Sequence, residues 1–248
     1  MRRTTVVLAA LLVYGALPAH AQAPAPAPEP PPSVEGSAQF SFLDTRGNAP
    51  TQSLGTGGDL TWRPGPWAHH AKAVFAQNQT DGETSARSLA ALFRSARTIN
   101  TRLSGYLQYD YLHDVFAGVN QRHIIEGGVS AKAVDRERQK LRVDGGIGYL
   151  NEQRPDDALQ SATLSAGALY RLLISKTADF QYEPRYLLTL ADTGAWKFDQ
   201  LAALNVAINA VFSLKASHTI RYSADPPAGF EKTDTIMAVS LVAKIKRP

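Results

Sequence analysis

The sequence predicts an all-β protein, an antiparallel up-and-down transmembrane β-barrel of about twelve strands. Three observations carry that expectation. Apolar and polar residues alternate in stretches of about ten residues, and a period of two marks a strand with two unlike faces. Turn-forming residues separate the stretches. The only long apolar run lies at the N-terminus, so helical spans are not expected, whereas a membrane barrel needs an apolar residue only at every second position.

The chain opens with Met1-Arg2-Arg3, a largely apolar run from Thr4 to Leu17, and Ala19-His20-Ala21. That order is a signal peptide over 1–21, with the mature chain from Gln22. Residues 22–33 are rich in alanine and proline and lack ladder donors, so they read as a disordered linker. Residues 34–248 form the expected barrel domain.

The clearest strand is Lys140–Leu150. Leu141, Val143, Ile147 and Tyr149 share one parity; Lys140, Arg142 and Asp144 share the other. In chain order, Glu35–Thr45 comes first, with Phe40 and Phe42 on its apolar parity. Leu54, Leu60 and Trp62 mark the second strand, with Asp59 opposite, and Arg63-Pro64-Gly65-Pro66 turns it. Trp67–Gln77 follows, with Ala71, Ala73 and Phe75 against Lys72; His69 sits on the apolar parity. After a loop at Asp81-Gly82, Ser85–Ala96 is a strand by pattern, with a helix as rival because alanine and arginine favour one. Leu103 to Tyr111, Arg122 to Lys132, Ala162 to Tyr170 and Phe180 to Leu188 add strands around the clearest one. Pro184 stands against its strand, because it cannot donate to the ladder. Trp196 to Ile208, Phe212 to Tyr222 and Met237 to Ile245 close the set.

An even count places both chain termini in the periplasm, with longer connections outside and short turns on the periplasmic side. Charge decides which parity faces lipid, since a Lys or Arg at the bilayer midplane costs about 2–4 kcal/mol on the lipid face. The lumen is therefore expected to receive Asp59, Lys72, Asp110, Arg122, Glu126, Arg142, Asp144, Glu183, Arg185, Lys215 and Arg221, as a salt-bridged plug or as the lining of a narrow aqueous path. Trp62 and Trp67 fall at one rim; Tyr109, Tyr111, Tyr149, Trp196 and Tyr222 fall toward the other, as interfacial girdles do. The opposing expectation is a soluble barrel whose apolar parity is its core.

Phe42-Leu43-Asp44-Thr45-Arg46-Gly47-Asn48, then Thr51-Gln52-Ser53-Leu54, resembles the opening of the YdiY-type salt-induced outer membrane proteins, a family of unknown function. Asp81-Gly82-Glu83-Thr84, the strand through Tyr149, Tyr222-Ser223-Ala224-Asp225-Pro226-Pro227 and Lys232-Thr233-Asp234-Thr235 extend the likeness from about Gly36 to Val242. The resemblance implies an outer-membrane barrel and brings no catalytic residue or ligand. The chain departs from common barrels in ending Ala243-Lys244-Ile245-Lys246-Arg247-Pro248, without a terminal aromatic residue.

Chemistry is sparse. There is no cysteine, which excludes a disulfide framework and a thiolate metal site. The formal charge of +4 is scattered, with no block suited to nucleic acid. His113, Asp114 and His123 are the best hydrolase candidates, yet they lie in no nucleophile motif. Gly145-Gly146-Ile147-Gly148 sits in a strand with no following helix, so it eases barrel curvature rather than cradling phosphate. The expected outer loops carry Asp44, Asp81, Glu83, Asp114, Glu152, Asp156, Asp157, Asp192, Asp225 and Glu231, either a solvated rim or a place for divalent cations that bridge lipopolysaccharide phosphates. The expected function is thus a structural or narrow-channel role in the outer membrane, linked to salt or osmotic stress. The expected protein has no catalytic residue, metal or cofactor. Its expected partners are outer-membrane lipid, lipopolysaccharide and the barrel-assembly machinery, and it is expected to be a monomer. The alternatives are a membrane-embedded lipid-modifying enzyme and a soluble periplasmic barrel that binds an apolar ligand.

Overall fold

The computed structural model describes residues 33–45 and 51–247. The expected leader, all of the linker but Ser33, and the Arg46-Gly47-Asn48 turn lie outside those residues. Twelve antiparallel strands follow one another around a closed ring. They are β1 (Val34–Thr45), β2 (Thr51–Trp62), β3 (Trp67–Thr80), β4 (Glu83–Thr98), β5 (Leu103–Asp114) and β6 (Val119–Asp135). The second half is β7 (Gln139–Gln153), β8 (Ala158–Leu173), β9 (Ala178–Thr189), β10 (Lys197–Ala207), β11 (Phe212–Ser223) and β12 (Thr233–Arg247). β1 pairs with β12, from Val34↔Arg247 to Phe40↔Leu241, and this pairing leaves no free edge. We call the end holding Val34 and Arg247 the basal end, and the opposite one the loop end.

The alternation resolves into an outside and an inside. Phe40, Ile125, Ile147, Val239 and Ile245 are exposed on the outer wall, whereas Glu126, Ser130 and Ser240 are buried within. β4 is a strand despite its helix-favouring composition, because ladders to β3 and β5 satisfy its backbone on both sides. Pro184 leaves its mark where expected: the β8–β9 pairing lapses between Gly167↔Arg185 and Tyr170↔Tyr182, while Gln200↔Pro184 on the β10 side is kept. His69 joins the rim rather than weakening β3, with its ring centroid 5.4 Å from that of Trp62 and 6.1 Å from that of Trp67.

The expected contrast between long and short connections is muted. β3 and β4 join through Asp81-Gly82 alone, both at positive φ (53° and 82°), the form a two-residue hairpin demands. β5 and β6 join through a 3-10 turn, Val115–Ala117, capped by the Asp114 carboxylate. The ladder continues into polar residues past the apolar belt, because hydrogen bonding does not require the alternation that lipid does. Only residues 190–196 and 224–232 remain long among the described connections.

Candidate functional site: a partly filled lumen

The inward face divides into two walls. On β4 to β9 the inward positions carry large polar side chains that bond to one another. Arg94 of β4 donates to Gln108 (2.9 Å), Ser130 (2.5 Å) and Asp144 (3.1 Å), thus crossing β5 and β6 to reach β7. Its guanidinium stacks over the Tyr106 ring at 3.6 Å. Tyr106 in turn donates to Glu126 (2.5 Å). Arg185 reaches from β9 to Asp110 and Glu126, at 2.8 Å each. Gly128 and Gly146 form the floor of this layer: a Cβ at either would stand 2.7 or 2.6 Å from the Tyr106 hydroxyl. These glycines therefore make space for a phenol, a role more specific than easing curvature.

Above it lies a small apolar layer of Ile124, Leu150 and Leu187. At the loop end, buried Glu152 is the hub of a second network. It accepts from Arg122, from Arg154 (2.8 Å) and from Lys197 (3.2 Å). Arg154 also donates to the Asp225 carboxylate (3.2 Å) and carbonyl (3.1 Å) in the β11–β12 loop. Burial opposes the charge on Arg154, yet its bonds to Glu152 and Asp225 and the nearby Asp157 raise its pKa above the ordinary range.

Two contacts span the bore. Arg221 on β11 pairs with Asp114 on β5 (3.1 Å) and donates to Ser88 on β4 (3.0 Å). β5 and β11 stand six places apart in the ring of twelve, so this pair crosses the diameter. The β11–β12 loop also lies against the β5–β6 turn, since a Cβ on Gly118 would stand 2.9 Å from the side chains of Phe230 and Pro227.

The remaining wall, β10 to β12 and β1 to β3, presents small inward groups such as Ser41, Gly55, Ala76, Ala238 and Ser240. A cavity of about 1410 Å³ runs along it, faced from the other side by Arg94, Glu126, Arg142, Asp144 and Arg185.

The eleven residues assigned to the lumen occupy three settings. Asp110, Arg122, Glu126, Asp144, Arg185 and Arg221 are tied into the networks, with Arg142 bonded to Asp144 at 3.2 Å. Asp59 pairs with His70 (2.6 Å). Lys72, Glu183 and Lys215 line the cavity, and Lys215 donates to Gln39 (3.3 Å). Sequence reasoning sets Gln108 beside Asp110 on the inward parity of β5 but overlooks Arg94, Tyr106 and Lys197; the parity they share with their inward neighbours was the signal that placed them inside. It also put Asp114 and Glu152 among the outer-loop acids. The structure corrects this: both are buried and neutralised by Arg221 and by Arg122, Arg154 and Lys197. His113, Asp114 and His123 do not form one constellation. His123 bonds to Tyr109 (2.8 Å) on the outer wall, His113 contacts the Asn120 carbonyl, and Asp114 faces inward. No group of three metal-ligating side chains occurs among the described residues.

The family described as protein of unknown function, DUF481, matches residues 38–245. The chain belongs to that family. It is similar to the uncharacterized protein YdiY of Escherichia coli (strain K12), with 25% identity over 209 residues that cover 84% of this chain and 81% of YdiY. Among solved structures it is similar to the NanC porin, with a TM-score of 0.48 and 9% identity, over 87% of this chain and 99% of that one. It is similar also to the translocator domain of autotransporter NalP from Neisseria meningitidis, with a TM-score of 0.46 and 12% identity, over 86% of this chain and 87% of that one. The KdgM porin gives a TM-score of 0.41 and 8% identity, over 86% and 98%.

Proposed function

We propose that this family member is an outer-membrane barrel that conducts small solutes through a narrow, off-centre path. Three features support the membrane. The outer wall is a belt of exposed large apolar residues, among them Ile147 (68% exposed), Val239 (68%) and Met237 (78%), far more than a soluble monomer carries in one patch. The inside is the polar side, the reverse of a soluble barrel. Aromatic clusters flank the belt: Trp62, Trp67 and His69 at the basal end, Tyr186, Trp196 and Tyr222 at the loop end. The leader expected at 1–21 would deliver the chain across the inner membrane, and the assembly machinery would insert it as a monomer among outer-membrane lipid and lipopolysaccharide.

The observation that carries the channel reading is the cavity of about 1410 Å³ along the small-residue wall. Salt bridges fill one side of the bore and leave the other open. A purely structural, plugged barrel is the second reading, favoured by the Arg221–Asp114 pair across the diameter. Reconstitution into planar bilayers separates them. Stepwise unitary currents support conduction, and a silent bilayer across a range of salts leaves the plug. The reading assigns no catalytic role. The link to salt or osmotic stress rests on the family resemblance alone.

A further inference from the structure

The basal end carries a charge pattern that the channel does not use. Arg97, Arg102, Arg136, Arg138 and Lys176 lie exposed at or beside its turns. None of them pairs with an acid among the described residues, where the ion pair of this rim is Arg63–Glu35. Asp135 and Glu137 are exposed in the same rim, beside Arg136 and Arg138, but the cations outnumber them there, whereas Asp81, Asp156, Asp157, Asp192 and Glu231 are exposed at the loop end. The same basal turns expose large aliphatics: Ile99 (66%), Ile174 (50%), Ile208 (58%) and Val211. Trp67 lies in this ring too, with the Arg97 guanidinium 5.7 Å above it. Arg138 further donates to the Ile174 carbonyl (3.2 Å), so one hairpin's cation is tied to the backbone of the next hairpin.

An aliphatic, an indole and a guanidinium in sequence match the layers of a leaflet from acyl chain to headgroup phosphate. A water-facing rim would have no need of the exposed isoleucines. We propose that the basal rim is a docking surface for anionic phospholipids, with the aliphatics at the acyl boundary and the cations on the headgroup phosphates. The proposal rests on the membrane reading above and adds a lipid preference to it.

Electron spin resonance of spin-labelled lipids in proteoliposomes tests it, comparing phosphatidylglycerol with phosphatidylcholine in the immobilised fraction. The expected preference for phosphatidylglycerol is about fivefold or more, the size of one basic residue's attraction to an anionic surface, and it falls with salt. A combined variant carrying Arg97→Gln, Arg102→Gln, Arg136→Gln, Arg138→Gln and Lys176→Gln brings the ratio to about one. Retained heat-modifiable gel mobility shows that this variant is folded. An immobilised fraction with no headgroup preference, or a preference that survives the variant, overturns the docking surface and leaves the membrane reading intact. No immobilised lipid of either kind overturns both. Capture by peptidoglycan that needs these cations, without lipid preference, assigns the rim to a polymer and also overturns the proposal.

Discussion

At the scale of single residues, the lumen shows how a missing side chain decides what a neighbouring one does. Tyr106 lies over Gly128 and Gly146, and its hydroxyl reaches Glu126 only because no Cβ intervenes. The two glycines are not equivalent. A Cβ on Gly146 meets the ends of flexible side chains, Tyr106 and Glu126, whereas one on Gly128 would overlap the Gly145 carbonyl oxygen as well. Gly146→Ala is therefore expected to cost about 1–3 kcal/mol, an overpacking penalty. That cost shrinks in a Tyr106→Ala background, while the cost of Gly128→Ala persists because backbone cannot step aside. Urea unfolding of the parent, the three single variants and the two pairs in liposomes measures this. Equal relief of both glycine substitutions would contradict this packing.

At the scale of elements, the loop end is narrowed by two opposed connections rather than by a long lid. The β5–β6 turn is short and capped by Asp114; the β11–β12 loop lies on it through Phe230 and Pro227 and is tied to the β7–β8 connection by Arg154. Arg221 crosses the bore just beneath. Combining Arg221→Ala with Phe230→Ala is expected to enlarge the unitary current without changing gel mobility, since neither side chain takes part in the ladder. Unchanged current would mean that ions do not pass by this mouth. How much of this was legible differs from element to element. The parity of Gln108 and Asp110 also implies that Tyr106 faces inward, and Asp81-Gly82 announces its turn by composition. The partnership of Arg154 with Asp225 had no local signal, since 71 residues separate them and only ring closure brings their loops together.

At the scale of the whole molecule, the outer wall decides the solvent. Ile147 is 68% exposed near the middle of β7. If that wall faces lipid, Ile147→Lys costs about 2–4 kcal/mol in liposome refolding. If it faces water, the same change leaves stability almost unaffected. A neutral result would return the chain to the soluble periplasmic alternative.

The sequence by itself determined the strand number, the parity of almost every position and hence which residues point inward. These follow from a period of two and from the cost of charge in lipid, both local properties. It also placed the turns, because glycine, proline and aspartate act over a few residues. Only the tertiary structure decided which inward residues meet. Arg221 and Asp114 stand on opposite sides of a ring, and Glu152 gathers three cations from β6, the β7–β8 connection and β10. Alternation says that a side chain enters the lumen and nothing about its height or its partner across it. Closure of the ring sets those distances, and they leave one wall filled and the other open.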